Sequence, residues 1–110
     1  MEWVKIMNVL ETIVCSANPG VEARLERMIS ARVEFRNRQE GCIKSWFGKS
    51  TTDESLFIFQ SVYVDLESLK EITKRSSESL DSTDGGLESC LIGPPLVGLF
   101  DISSEDMLVS

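Results

Sequence analysis

The sequence has no histidine. That absence removes the commonest general base, the commonest metal ligand and the usual haem ligand together. It also lacks a basic excess, with 11 lysines and arginines against 18 acidic residues for a net charge of −7. Such a surface repels phosphate backbones, so nucleic acid is not an expected partner. There is no Cys-x-x-Cys pair: the three cysteines, Cys15, Cys42 and Cys90, are scattered. They read as free, inert thiols in a reducing compartment, and they supply no zinc spacing. No apolar run approaches the ~20 residues of a membrane span. Met1 to Lys5 has no basic stretch followed by an apolar core, so no secretory leader and a cytoplasmic location are expected.

What is present fits one soluble domain. A chain of 110 residues with 42% hydrophobic and 26% charged content has the composition of an ordinary globular fold. Residues 1–102 are read as that domain and residues 103–110 as an acidic tail, in which Met107, Leu108 and Val109 are candidates for docking on a partner.

The order of elements is the strongest signal. Val4 to Cys15 is rich in β-branched residues and apolar on both alternating faces, one with Ile6, Asn8, Leu10 and Val14, the other with Met7, Val9, Ile13 and Cys15. A strand with one wetted face alternates more cleanly, so cover on both sides is expected. Asn18-Pro19-Gly20 follows, with Asn18 as helix cap and Pro19 as first helical residue. The helix to Gln39 buries Val21, Leu25, Met28, Ile29 and Phe35, and its five arginines read as a solvated, ion-paired face. Gly41 ends it, and strands follow at Ile43–Lys49 and Leu56–Val64 around the polar turn Ser50–Ser55. Phe57, Phe59, Ser61 and Tyr63 share a face of the third strand. Asp65 caps a second helix that buries Leu66, Leu69 and Ile72. Ser76 to Gly86 reads as a loop or frayed helix end, Leu87 to Ile92 as one helical turn, and Leu96 to Ile102 as the last strand. The result is β-α-β-β-α-β, an α+β, ferredoxin-like plait. A plait has helices on one side only, so the second cover is expected to be another copy of the chain in a homodimer.

Asn18-Pro19-Gly20, Glu40-Gly41-Cys42, Ser50 to Asp53, Phe57 and Phe59, and the run Ser61 to Leu69 resemble, in this order, the antibiotic-biosynthesis monooxygenase family. The resemblance covers roughly residues 9–102. It implies a dimeric α/β barrel, with two sheets face to face and a pocket in each subunit between sheet and helices. Members include cofactor-independent oxygenases of quinols and polycyclic phenols, haem-degrading enzymes, and proteins with no established activity. Departures narrow the choice. Ile72 stands where the family often has histidine, and Ser61 and Tyr63 where it often has glutamate and tryptophan. The haem-degrading branch combines asparagine, tryptophan and histidine. This chain has Asn8 but no histidine and no helix-two tryptophan, so no haem, no other cofactor and no metal are expected.

Four residues are candidates for binding a small aromatic substrate. Asn8 is an amide amid apolar neighbours, either a ligand contact or an edge residue bonded to backbone. Trp46 is placed either to stack on a ring or to fill a core or dimer interface. Phe59 belongs to an aromatic strand face that either walls a pocket or fills the core. Tyr63 offers a hydroxyl that either meets a phenolic substrate or anchors its own corner. No catalytic residue stands out. The functional reading is a cofactor-independent monooxygenase of a quinol-like or phenolic compound; the alternative is a non-catalytic dimer that binds a small ligand or regulates a partner.

Overall fold

Two helices cover one face of a four-stranded antiparallel sheet in the computed structural model, which describes residues 6–104. The elements run β1 (Met7–Ser16), α1 (Glu22–Asn37), β2 (Cys42–Lys49), β3 (Leu56–Tyr63), α2 (Leu66–Ser76) and β4 (Leu96–Ser103). The sheet order is β2-β3-β1-β4, the ferredoxin-like plait read from the sequence. Val4 and Lys5 of the expected first strand, and the tail residues Met107, Leu108 and Val109, lie outside the described residues.

Register decides which side chains meet the helices. Val9, Glu11, Ile13 and Cys15 pair with Tyr63, Ser61, Phe59 and Phe57. Because side chains alternate along a strand, these eight share one face. Helix α1 packs Leu25, Met28 and Ile29 on its Cys15–Phe57–Phe59 end, and α2 packs Leu69 and Ile72 on its Val9–Tyr63 end. Ile72 is thus a fully buried core residue. An irregularity between Cys42 and Lys44 breaks the strict alternation of β2. The extra residue, Ile43, is exposed, and Cys42 moves to the helix side with Ser45 and Phe47.

Two expectations change at the start of α1. Asn18 does not cap α1; its Nδ2 donates to the Leu91 carbonyl (3.0 Å), tying β1's end to the loop before β4. Gly20 adopts φ +89°, so the chain turns once more and the helix starts at Glu22 rather than Pro19. Of the two readings for Ser76 to Gly86, the helix end holds and the loop does not: a wide π-type turn (Ser77–Asp81) and a last α-helical turn (Ser82–Asp84) follow α2, and past Gly85-Gly86 the expected helical turn is a 3₁₀ turn (Leu87–Cys90). Asp65 does cap α2, accepting from the Ser68 N–H at 2.8 Å.

Among the described residues no helix lies on the other sheet face. It carries Leu10, Val14, Trp46, Ile58, Val62 and Phe100, all on the opposite side of the pleat from the core residues. Strand β4 packs chiefly on β1, and its first part is exposed on both sides: Leu96 and Phe100 are 74% and 54% exposed on the open face, Val97 and Leu99 58% and 50% on the helix side.

Candidate functional site

Between the sheet and the helical layer lies a cavity of about 420 Å³. Its floor is Ile13 and Phe59, one wall is Arg32 and Arg36 of α1, and Ser76 closes the far end. Leu87 and Leu91, from the segment between α2 and β4, form an apolar rim. The volume falls in the range of small-molecule pockets, roughly 300–1,000 Å³.

The two arginines overturn the expected solvated face of α1: Arg32 and Arg36 are 4% and 5% exposed. They continue the Leu25–Ile29 stripe by steps of three and four residues, so the helix turns them inward with its apolar side chains. Each is held differently. Arg32 forks onto Asp84 (Nη1–Oδ2 2.8 Å, Nη2–Oδ1 3.0 Å) and reaches Asp81 at 2.6 Å. Burial alone pushes Arg32 down, but the hydrogen bonds to Asp84 and Asp81 outweigh it and raise its pKa. The same bond from Arg32 is the main force holding the Asp84 carboxyl below its ordinary value. Arg32 therefore clasps residues 77–86 to α1, and the wide turn at Ser77–Asp81 sets Asp81 within its reach.

Arg36 instead donates only to neutral groups. Its Nε donates to Tyr63 Oη (2.9 Å) and its Nη1 to Ser76 Oγ (3.2 Å) and the Arg32 carbonyl (3.4 Å). Tyr63 Oη in turn donates to Glu11 Oε1 at 3.2 Å. The guanidinium carbon sits 5.1 Å from the Phe59 ring centroid, in cation–π range. Burial pushes the Tyr63 phenol up, so it remains protonated and bridges a buried cation and a buried carboxylate.

The four residues singled out from the sequence do not converge. Phe59 lines the cavity. Tyr63 is 0% exposed behind Arg36 and reaches the cavity only through it. Asn8 and Trp46 lie on the open face of the sheet, across the backbone from the cavity. Asn8 is buried there and its Oδ1 accepts from Ser104 Oγ at 2.7 Å, while Trp46 Nε1 donates to Gln60 Oε1 at 3.0 Å. Glu11, Arg32, Arg36, Ser76 and the aspartates are the site residues that sequence reading missed. The signal for the arginines was the continuing helical stripe. Glu11 was marked by standing between Val9 and Ile13 on the core face of β1.

Cys15 and Cys90 are buried and Cys42 half-buried, all as free thiols. Burial raises the pKa of Cys15 and Cys42, which disfavours the reactive thiolate. Among the described residues no three cysteine, aspartate or glutamate side chains converge as a metal site requires, and no helix is long and apolar enough to cross a membrane.

No family model matches the sequence, and no curated protein does either. Solved structures do match. A proposed antibiotic biosynthesis monooxygenase from Nitrosomonas europaea superposes with a TM-score of 0.74 at 12% identity, over 91% of this chain and 93% of that one. SnoaB, a cofactor-independent oxygenase from Streptomyces nogalater, gives a TM-score of 0.71 at 15% identity, over 84% and 90%. A conserved protein from Methanosarcina mazei gives a TM-score of 0.75 at 12% identity, over 86% and 92%. At such identities the likeness establishes the fold of the single chain, the ferredoxin-like plait.

Proposed function

We propose that this chain is a homodimeric, antibiotic-biosynthesis-monooxygenase-like protein whose sheet–helix cavity takes a small, planar quinol-like or phenolic compound and oxygenates it without a cofactor. The cavity carries the reading: an apolar space with an aromatic floor at Phe59 and a few fixed polar groups at one wall, enclosed by a fold shared with a cofactor-independent oxygenase. The chemistry balances on substrate and dioxygen alone. The phenolate gives electrons to dioxygen, oxygen bonds to the ring carbon ortho or para to the phenolate oxygen, that carbon's hydrogen leaves as a proton, and the protonated hydroperoxide loses water, so that a phenol and dioxygen become a quinone and water.

The dimer rests on the uncovered side of the sheet. Leu96, Val97, Leu99 and Phe100 leave that part of β4 apolar and exposed on both faces, and β4 is an edge strand of the sheet formed by the described residues. Natural proteins blunt or cover such an edge, and a second copy across a twofold axis covers it completely. Asn8 and Trp46 then belong to the subunit interface. Light scattering at micromolar concentration gives twice the chain mass on this reading, and a monomeric mass contradicts it.

An oxygen electrode tests the activity. Confirmed dimer with a panel of quinols and polycyclic phenols consumes oxygen above the buffer rate for at least one of them. A specific observation keeps a second reading, a non-catalytic ligand-binding dimer, in view. The carboxylates at the cavity are Asp81, committed to Arg32, and Glu88, exposed at the rim, so a substrate must ionise with little help. No uptake across the panel by protein that still binds the compounds selects that second reading.

A further inference from the structure

We propose that the cavity selects aromatic ligands bearing an anionic oxygen, a carboxylate or an ionised phenol, and that Arg36 is the group that binds it. The proposal rests on reading the cavity as a ligand pocket and sharpens it to a charge class.

The observation is an imbalance between the two buried guanidinium groups. Arg32 is matched by two carboxylates, Asp81 and Asp84. Arg36 has no carboxylate within ion-pair distance among the described residues, and its acceptors are a phenol, a serine hydroxyl and a carbonyl. The nearest negative group in its hydrogen-bond chain, Glu11, stands one hydroxyl away behind Tyr63 and is already engaged there. Nη2 of Arg36 donates to none of the described residues. No fully buried side-chain nitrogen or oxygen among them lacks a partner, so Nη2 keeps some accessible surface. Arg36 is one of the residues that line the cavity, which places a guanidinium with a free N–H beside that space.

A buried, incompletely paired charge is costly, and an anion delivered with a ligand relieves the cost. The direction also suits an aromatic acid. With the guanidinium over Phe59, a flat ligand that lies against the same ring brings an oxygen at its edge to the free side of Arg36. The remaining charges at the cavity do not pre-empt it, since Asp81 is held by Arg32 and Ser77 and Glu88 is exposed at the rim.

Calorimetric titration of the wild-type protein with 2-naphthoate and 2-naphthamide tests this, because the two probes share one ring system and differ in charge. Naphthoate binds about tenfold more tightly or better, the scale of one hydrogen bond between charged groups. Arg36→Met brings naphthoate down to the affinity of naphthamide and leaves naphthamide nearly unchanged. Should Arg36→Met fail to fold, the wild-type ratio and Arg36→Lys decide, the lysine keeping a reduced preference through its point charge. Equal binding of the two probes overturns the anion preference while leaving the pocket intact. A naphthoate preference undiminished in either Arg36 variant overturns the assignment to Arg36. Binding of neither probe at millimolar concentration overturns the pocket reading itself.

Discussion

Replacing Tyr63 with phenylalanine removes one oxygen atom and, on this structure, two hydrogen bonds to charged groups. The hydroxyl accepts from Arg36 Nε at 2.9 Å and donates to Glu11 Oε1 at 3.2 Å, and all three side chains are buried. Bonds to charged groups contribute about 1.5–3 kcal/mol each, and a buried charge left without its partner adds desolvation cost. Partial closure of Arg36 toward Glu11 across the vacated space recovers some of that. The expected loss is therefore about 2–4 kcal/mol, or roughly 10–20 °C in melting temperature for a domain of this size. The sequence leaves two readings of Tyr63 open: a tyrosine aimed at a ligand tolerates the change with an unaltered melt, and one that anchors its own corner does not. Thermal unfolding of both proteins at one protein concentration, followed by circular dichroism, distinguishes the two. A shift under about 2 °C would refute the claim that this hydroxyl joins two buried charges.

Other substitutions test neighbouring parts of the argument. Gly41 adopts φ +101° and an added Cβ would stand 2.9 Å from Ser68 Oγ and 3.0 Å from Ser68 Cβ, so Gly41→Ala combines backbone strain with a clash against α2 and costs about 1–3 kcal/mol by denaturant unfolding. Phe59→Ala costs about 3 kcal/mol, the low end for such truncations because one side of the ring already borders a void, and it weakens any aromatic probe. Arg32→Met releases residues 77–86 from α1, visible as faster amide exchange confined to that segment. The Arg32–Asp84 contact is also acid-sensitive. The folded-state carboxyl titrates below its unfolded value, so its contribution is complete above about pH 4 and disappears as pH falls through the lower folded value. Amide exchange of residues 77–86 measured down to pH 2 should accelerate beyond its intrinsic pH dependence in the wild type and show no such added step in Asp84→Asn.

The plait was legible because its determinants are local. Gly41, Asp65, the aromatic alternation of β3 and the apolar β1 each act within a few residues, and their order specifies the topology. The site was legible only in part, because its members meet through register and helix phase. Trp46 and Asn8 stood out by residue type, yet strand alternation puts both on the side away from the cavity. Arg32 and Arg36 were disguised by being arginines in an arginine-rich helix. Their phase, one step beyond Leu25 and Ile29, was the informative property, and charge argued the wrong way. The partners that make their burial tolerable, Asp81, Asp84, Tyr63 and Ser76, lie 27 to 52 residues away along the chain, beyond any local pattern. The irregularity at Ile43, which carries Cys42 to the helix side, likewise follows from pairing with β3 and leaves no mark in the β2 sequence.

The central claim is that the space between sheet and helices, not the open sheet face, is where this protein meets its ligand. A crystal structure of the protein grown with 2-naphthoate tests it directly. The account predicts the naphthalene ring against Phe59 with its carboxylate at Arg36 and Tyr63 still sealed behind. Naphthoate on the open face beside Trp46 and Asn8, with the cavity left to solvent, would contradict it.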